Sequence, residues 1–274
     1  MNIWLNGALV PAGAAGIDPA DRGFLLGDGV FETLRVAAGV PLHLARHLAR
    51  LRAGASVLGV ALAWHDDALA DAAAAVLAGL PEASLRITLT RGPGPRGLAP
   101  PGDLQPTLLM SAATLAPPAA PARAIVARAT CRNEHSPLSR IKSLNYLDQI
   151  LARREAAAAG ADDALLLNTA GRLACATAGN VFLLLEGAWI TPPVEDGALP
   201  GIVRALLLEA GFARPSSVTA AMIARAESAL ITNSLGIRCI ASLDGTALSA
   251  PGDRCMADLR ASAGPEPGLM EPKN

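Results

Sequence analysis

The chain has 274 residues, enough for one large domain or two modest ones, and 51% of them are hydrophobic, largely alanine with only 3% aromatics, which supports a sizeable core. A formal net charge of −1 gives no electrostatic case for a nucleic-acid partner or a membrane surface. Cys131, Cys175, Cys239 and Cys255 show no C-x-x-C pairing, the N-terminus lacks a signal-peptide pattern, and no stretch approaches the ~18 apolar residues of a membrane span; a reducing, cytoplasmic setting is expected.

In chain order, Asn6-Gly7 between two apolar triplets predicts a tight β-hairpin. Gly27-Asp28-Gly29 leads into a strand over 30–36. Leu44, Leu48, Leu51 and Val57 share one face of a helix over 44–58, and an alanine-rich helix follows over 66–80. Strands are expected over 84–90 and 107–111. Three prolines without periodicity between Thr114 and Arg123 mark a linker. Beyond it come a strand over 124–127, a helix over 144–159, strands over 163–167, 180–185 and 188–191, a helix opening at Pro200-Gly201, and strands over 229–232 and 237–240. From about residue 263 a Pro/Gly-rich tail is expected to fray. Hairpins mixed with helices, without regular βαβ alternation, predict an α+β fold. The expected organisation is a smaller domain over 1–113, a linker over 114–121 and a larger domain over 122–274.

The basic residues carry the first chemical signal. Of 23, only Lys142 and Lys273 are lysine. Arginine serves as well for surface charge but cannot form a Schiff base, so a lysine retained in the apolar run Arg-Ile-Lys-Ser-Leu-Asn-Tyr-Leu is a candidate imine-forming amine. The only tyrosine, Tyr146, stands four residues later. Gly92-Pro-Gly-Pro-Arg-Gly97 has dinucleotide-fingerprint spacing, but its prolines prevent a helix from opening there. It is better read as a rigid loop presenting Arg91 and Arg96, either to a carboxylate in bidentate fashion or simply to solvent. His43 and His47 have metal-ligand spacing without a third ligand, so no metal is expected. His47 and Arg50 share one helical turn, from which Arg50 can face an anion. Leu199-Pro-Gly-Ile-Val-Arg204 offers amides at a helix N-terminus, and Thr232-Asn-Ser234 offers hydroxyls after a strand; both suit a phosphate.

In this order and spacing the pieces resemble the class IV aminotransferases, pyridoxal-phosphate enzymes of fold type IV. That family includes branched-chain and D-amino-acid aminotransferases and 4-amino-4-deoxychorismate lyase. The resemblance runs over about residues 1 to 245. It rests on Arg22-Gly-Phe with Gly27-Asp-Gly-Val-Phe-Glu-Thr33, His47-Leu-x-Arg-Leu51, Lys142-Ser-Leu-Asn-Tyr-Leu147, Asn180-Val-Phe182, Leu199-Pro-Gly-Ile-x-Arg204 and Thr232-Asn-Ser-Leu235. It implies two α/β domains with the cofactor in the inter-domain cleft, and a homodimer. It also implies Lys142 as the Schiff-base lysine and later acid/base, and Arg50 as the phosphate arginine. The Gly201, Ile202 and Val203 amides and the Ser234 hydroxyl would complete the phosphate cradle, with Tyr146 against the phenolic oxygen. Phe31 resembles a pocket-lining position, and Arg91, Arg96 and Asn233 are candidate substrate contacts. The implied reaction exchanges amino and keto groups between an amino acid and a 2-oxo acid. The rival is lyase action on aminodeoxychorismate, releasing pyruvate and 4-aminobenzoate, and a third reading is a cofactor-binding protein of low turnover.

One departure is chemical. The family's glutamate five residues before the Asn of Asn-Val-Phe is here Cys175. That carboxylate normally keeps the cofactor's pyridine nitrogen protonated as an electron sink, and a neutral thiol cannot.

Overall fold

The computed structural model describes residues 1–264 as two compact units. The expected tail lies almost wholly outside the described residues, and Lys273 with it.

The first unit comprises Met1–Leu115 and Ile141–Asn145. Strands β1 (Asn2–Leu5) and β2 (Ala8–Pro11) form the expected hairpin. A short helix α1 (Arg22–Leu26) precedes β3 (Gly29–Ala37) and β4 (Val40–Pro41). Helices α2 (Leu44–Leu58) and α3 (Asp66–Leu77) follow, then β5 (Ala83–Thr90) and β6 (Thr107–Ala113). The strands make one antiparallel sheet in the order β2-β1-β6-β5-β3-β4. Period-two alternation sends Val30, Leu34, Val36, Leu85, Ile87 and Leu89 to one face, where Leu48, Leu51 and Ala55 of α2 and Leu69, Ala73 and Val76 of α3 complete the core. Val57, expected on the buried face of α2, is 53% exposed; Ala55 takes that place. Helix α3 ends three residues earlier than expected, before Gly79 at φ +79°.

The second unit comprises Ala116–Arg140 and Tyr146–Gly264. Residues 114–121 carry no helix or strand, as the prolines require. Strand β7 (Ala122–Val126) and helix α4 (Leu147–Ala158) are followed by β8 (Asp163–Leu167), β9 (Leu173–Ala176), β10 (Asn180–Leu185) and β11 (Ala188–Thr191). Helix α5 (Ile202–Glu209), β12 (Arg214–Pro215), α6 (Ala220–Ile223), β13 (Ser228–Asn233), β14 (Gly236–Leu243), β15 (Thr246–Ala247) and α7 (Asp253–Ser262) complete it. The nine strands form a mixed sheet in the order β12-β11-β10-β13-β14-β7-β8-β9, with β15 on β14. The nearly continuous apolar runs of β8, β9 and β10 match their burial on both faces.

Two sequence expectations shift here. Helix α4 begins at Leu147 rather than at 144, because residues 142–144 pair with β3. Lys142 therefore belongs to the first unit, although it lies beyond the linker. Among the described residues no helix is long and apolar enough to cross a membrane.

Candidate functional site

In the first unit, Phe31 N–H donates to the Lys142 carbonyl at 2.9 Å and Leu144 N–H donates to the Gly29 carbonyl at 2.9 Å. Residues 142–144 thus run as an added short strand along the edge of β3. Gly29 permits the approach, since a Cβ there would strike the Leu89 carbonyl oxygen and come within 2.9 Å of Leu144 Cδ1. Ile141 joins the first unit's core, fixing the segment from the other end. The Lys142 side chain lies over Phe31, with Nζ 4.2 Å from the ring centroid.

The opposite face of β3 holds Glu32, whose carboxylate is fully buried. Its Oε1 accepts from Arg50 Nε at 2.7 Å and its Oε2 from Arg50 Nη2 at 2.6 Å, a bidentate fork. His47 Nδ1 stands 2.6 Å from the same Oε2. Burial works against charge on Glu32, but the hydrogen bonds from Arg50 and His47 outweigh it and hold the carboxyl below its ordinary range. Burial pushes the His47 pKa down despite the neighbouring carboxylate. The ring is therefore neutral at neutral pH, and since an ionised carboxylate only accepts, Nδ1 carries the donated proton. The 11% exposed Arg50 side chain is held rigidly by a counter-charge beneath it.

Arg91 and Arg96 differ. Arg91 donates from Nε and Nη2 to Asp28 at 2.7 and 3.1 Å, and to the Gly59 and Leu58 carbonyls. Asp28 also accepts from Arg22 Nε at 2.9 Å, while Arg22 holds the Gly97 and Leu98 carbonyls. Arg91 and Arg22 thereby brace the loop that follows β5, and Arg96 lies exposed on that loop. No helix follows Gly97, and Gly92 sits at φ +85° where a Cβ would overlap the Gln105 carbonyl oxygen. The glycines serve the turn, not a dinucleotide. Among the described residues no group of three or more His, Cys, Asp or Glu could hold a metal.

In the second unit, Asn180 Nδ2 donates to the Leu199 carbonyl at 2.9 Å and so fixes the approach to α5. Its Oδ1 occupies the place a Cβ on Gly201 would take. Helix α5 opens at Ile202, and the N–H groups of its first turn face its N-terminal end, where the helix dipole favours an anion. Ser234 lies at the turn between β13 and β14, where Asn233 Oδ1 accepts from Leu235 N–H at 2.9 Å and Asn233 Nδ2 donates to the Ala178 carbonyl at 3.1 Å. Tyr146 immediately precedes α4 and accepts through its carbonyl from Ile150 N–H. Cys175 sits in β9, 8% exposed, and burial pushes its thiol up to about 11.

Two positioning residues, Glu32 and Asn180, were quoted in motifs without a role. Glu32 had a readable signal. It alternates with Val30 and Leu34 on the core face, and a carboxylate in that register needs cationic or hydrogen-bonding partners. Asn180 had none, because its partner lies nineteen residues away along an irregular loop.

Residues 29–243 match the amino-transferase class IV family. A chain of Methanocaldococcus jannaschii that carries the name of a branched-chain-amino-acid aminotransferase is 34% identical over 215 residues, covering 76% of this chain and 74% of that one. A D-alanine aminotransferase of Bacillus licheniformis is 28% identical, covering 76% and 74%. Among solved structures, 4-amino-4-deoxychorismate lyase from Pseudomonas aeruginosa superposes with a TM-score of 0.82 at 33% identity, over 94% of this chain and 98% of that one.

Proposed function

The chain belongs to the class IV aminotransferase family, and we propose that it is a pyridoxal-5'-phosphate-dependent aminotransferase that exchanges amino and keto groups between an amino acid and a 2-oxo acid. The observation that carries this reading is Lys142, the one lysine among the described residues, built into the edge of β3 with its amine over Phe31.

The residues fit the cofactor at its phosphate and its aldehyde. For the phosphate, a dianion, the reading assigns the Arg50 guanidinium, braced by Glu32, in the first unit, and the amides at Gly201, Ile202 and Val203 with the Ser234 hydroxyl in the second. The place of the family glutamate holds a thiol that stays neutral at neutral pH, so this chain supplies no carboxylate there to keep a ring nitrogen protonated. When bound, pyridoxal phosphate supplies an aldehyde that captures amines and a conjugated ring that takes up the electron pair released at the substrate Cα. Lys142 Nζ is assigned the proton, taking it from the substrate Cα and returning it. Phe31 limits where that amine can swing. Tyr146 is assigned the cofactor's phenolic oxygen. Arg96, with Asn233, is assigned the substrate's α-carboxylate, since Arg91 is engaged by Asp28 and two carbonyls.

A homodimer in the cytoplasm completes the reading. The apolar side chains of Phe24 and Leu98, 76% and 84% exposed, support a second copy as cover, and four free thiols suit a reducing compartment. Lyase action on aminodeoxychorismate is the second reading, favoured by the 33% identity to the Pseudomonas aeruginosa lyase over 94% of the chain. Following cofactor absorbance in single turnovers with a panel of amino acids, beside an assay for 4-aminobenzoate and pyruvate, separates the two. Amino-acid turnover without 4-aminobenzoate release supports the aminotransferase; the reverse result replaces it.

Two substitutions test the cofactor contacts. Arg50→Lys keeps a charge for Glu32 but loses the planar fork. It should weaken cofactor binding roughly tenfold, the equivalent of one net hydrogen bond of about 1–1.5 kcal/mol. Equal affinities measured by cofactor titration would remove Arg50 from the phosphate. Cys175→Glu restores a carboxylate and should speed proton removal in the amino-acid half-reaction by roughly tenfold, about 1.4 kcal/mol of barrier. A folded variant with an unchanged half-reaction would take Cys175 out of that role.

A further inference from the structure

Lys142 is placed by a very short piece of strand. Ser143 pairs with Val30 of β3, and the flanking hydrogen bonds run from Phe31 N–H to the Lys142 carbonyl and from Leu144 N–H to the Gly29 carbonyl. In this register Lys142 stands opposite Phe31, on the face turned away from the core, while Ser143 shares the core face with Val30 and is 4% exposed. A slip of one residue would exchange the two faces and turn the lysine amine toward the core beside Val30. Ile141, packed in that core, holds the N-terminal end of the segment. The core-facing residue of the pairing itself is a serine, so apolar burial specifies the rest of the register only weakly.

The C-terminal end is held by a side chain. Asn145 Nδ2 donates to the Gly27 carbonyl at 3.2 Å. The fit is close, since a Cβ on Gly27 would stand 3.0 Å from Asn145 Oδ1, and Gly27 at φ +67° lies in the left-handed region that suits glycine. Asn145 N–H donates to Ser143 Oγ at 3.4 Å, which turns the chain out of the ladder after Leu144. The acceptor is itself braced. Gly27 N–H donates to the Gly23 carbonyl, Gly29 N–H donates to the Gly27 carbonyl, and the intervening Asp28 is ion-paired with both Arg22 and Arg91. Asn145 therefore ties the segment that carries Lys142 to a loop fixed by two ion pairs.

We infer that Asn145 is a positioning residue for Lys142: its amide pins the 142–144 segment to the Gly27 carbonyl and so returns the lysine amine to one place each time it is released. This rests on the reading of Lys142 as the cofactor lysine. Such a lysine is released and recaptured in every turnover. Its four-carbon stem is flexible, so the backbone must carry the position. Capture joins Nζ to the aldehyde carbon as C=N, and the aldehyde oxygen leaves as water. A stem rooted on a shifting Cα meets that carbon in fewer of its conformations.

The test titrates the full chain with two ligands. Pyridoxal 5'-phosphate offers the aldehyde that the lysine captures; pyridoxamine 5'-phosphate carries an amine there and cannot be captured. Asn145→Asp keeps the shape and loses the donor, and Asn145→Ala loses both. In each, the affinity ratio of the aldehyde over the amine should fall roughly fivefold, the loss of one net hydrogen bond, with the amine form bound as in wild type. A role confined to holding the fold would weaken both ligands together and leave the ratio alone. In a Lys142→Ala background, either Asn145 substitution should leave the ratio where Lys142→Ala alone puts it. A ratio that falls by less than about twofold in either single variant overturns the assignment, and so does a fall that persists in the Lys142→Ala background. If Lys142→Ala by itself leaves the ratio at its wild-type value, Lys142 is not the cofactor lysine, and that reading falls with this assignment.

Discussion

Replacement of Lys142 by alanine should abolish turnover while leaving the fold intact. The two effects separate because the lysine's structural ties are made by its backbone: Phe31 N–H donates to the residue 142 carbonyl whatever the side chain. The side chain itself contributes the cation–π contact with the buried Phe31 ring, about 0.5–2 kcal/mol, so the loss of stability is modest. The loss of chemistry is large. General acid–base catalysis by one positioned group is commonly worth 10²–10⁴-fold, and Lys142 is assigned both that task and the covalent capture of the cofactor, so kcat should fall by roughly 10³-fold or more. Circular dichroism should superpose on the wild type. Borohydride reduction of the loaded wild-type enzyme should attach the cofactor to the one peptide containing Lys142. A labelled peptide from elsewhere, or an alanine variant within tenfold of wild-type activity, would end the assignment.

Glu32→Ala should be the most destabilising single change near the site. It leaves the Arg50 guanidinium, only 11% exposed, without the carboxylate that accepts two of its hydrogen bonds, and leaves buried His47 without its acceptor. Removing one partner of a buried ion pair typically costs about 3–5 kcal/mol. For a unit of this size that corresponds to roughly 10 °C or more in Tm. Glu32→Gln keeps the shape and an acceptor and should lose less. Cofactor affinity should fall in both, because Arg50 loses its direction as well as its counter-charge. A Tm within about 2 °C of wild type in Glu32→Ala would show that the pair contributes little.

The same cluster predicts a pH dependence with a definite sign. Glu32 and His47 both have folded pKa values below their ordinary values of 4.5 and 6.5, so at acid pH the unfolded chain binds more protons than the folded one. Stability contributed by these groups is present above pH 6.5. It should decline as His47 begins to favour the protonated unfolded state, then fall again below about pH 4.5 as Glu32 does so. In Glu32→Gln the second decline should shrink, which thermal melts between pH 7 and 4 would detect.

Much of the fold was legible because local rules agreed with it. Helix α2 spans Leu44–Leu58 as its apolar spacing predicts, and β8, β10 and β11 have the bounds read from their apolar runs and turns. Strand β9 was missed because Leu-Ala-Cys-Ala has no alternation and little β-propensity, and it is held by pairing with β8. The start of α4 was misplaced because periodicity cannot see that residues 142–144 are taken up by β3. Arg91 and Arg96 looked equivalent on one loop, yet Arg91 is tied to Asp28 and two carbonyls while Arg96 is exposed.

By itself the sequence determined the identities on which the chemistry depends: a lone internal lysine in an arginine-biased chain, an arginine one helical turn from His47, a Pro-Gly helix start, and a thiol where relatives carry an acid. These are readable because they are properties of residue type and short spacing. Only the tertiary structure decided which groups meet. It carried Lys142 back to the first unit across a linker, set Glu32 against Arg50 and His47, and brought Lys142 and Arg86 to the same Phe31 ring. Those contacts join residues far apart in the chain through strand pairing and register. Neither has a signature in any short window, because the pairing energy depends on the partner strand as much as on the strand itself.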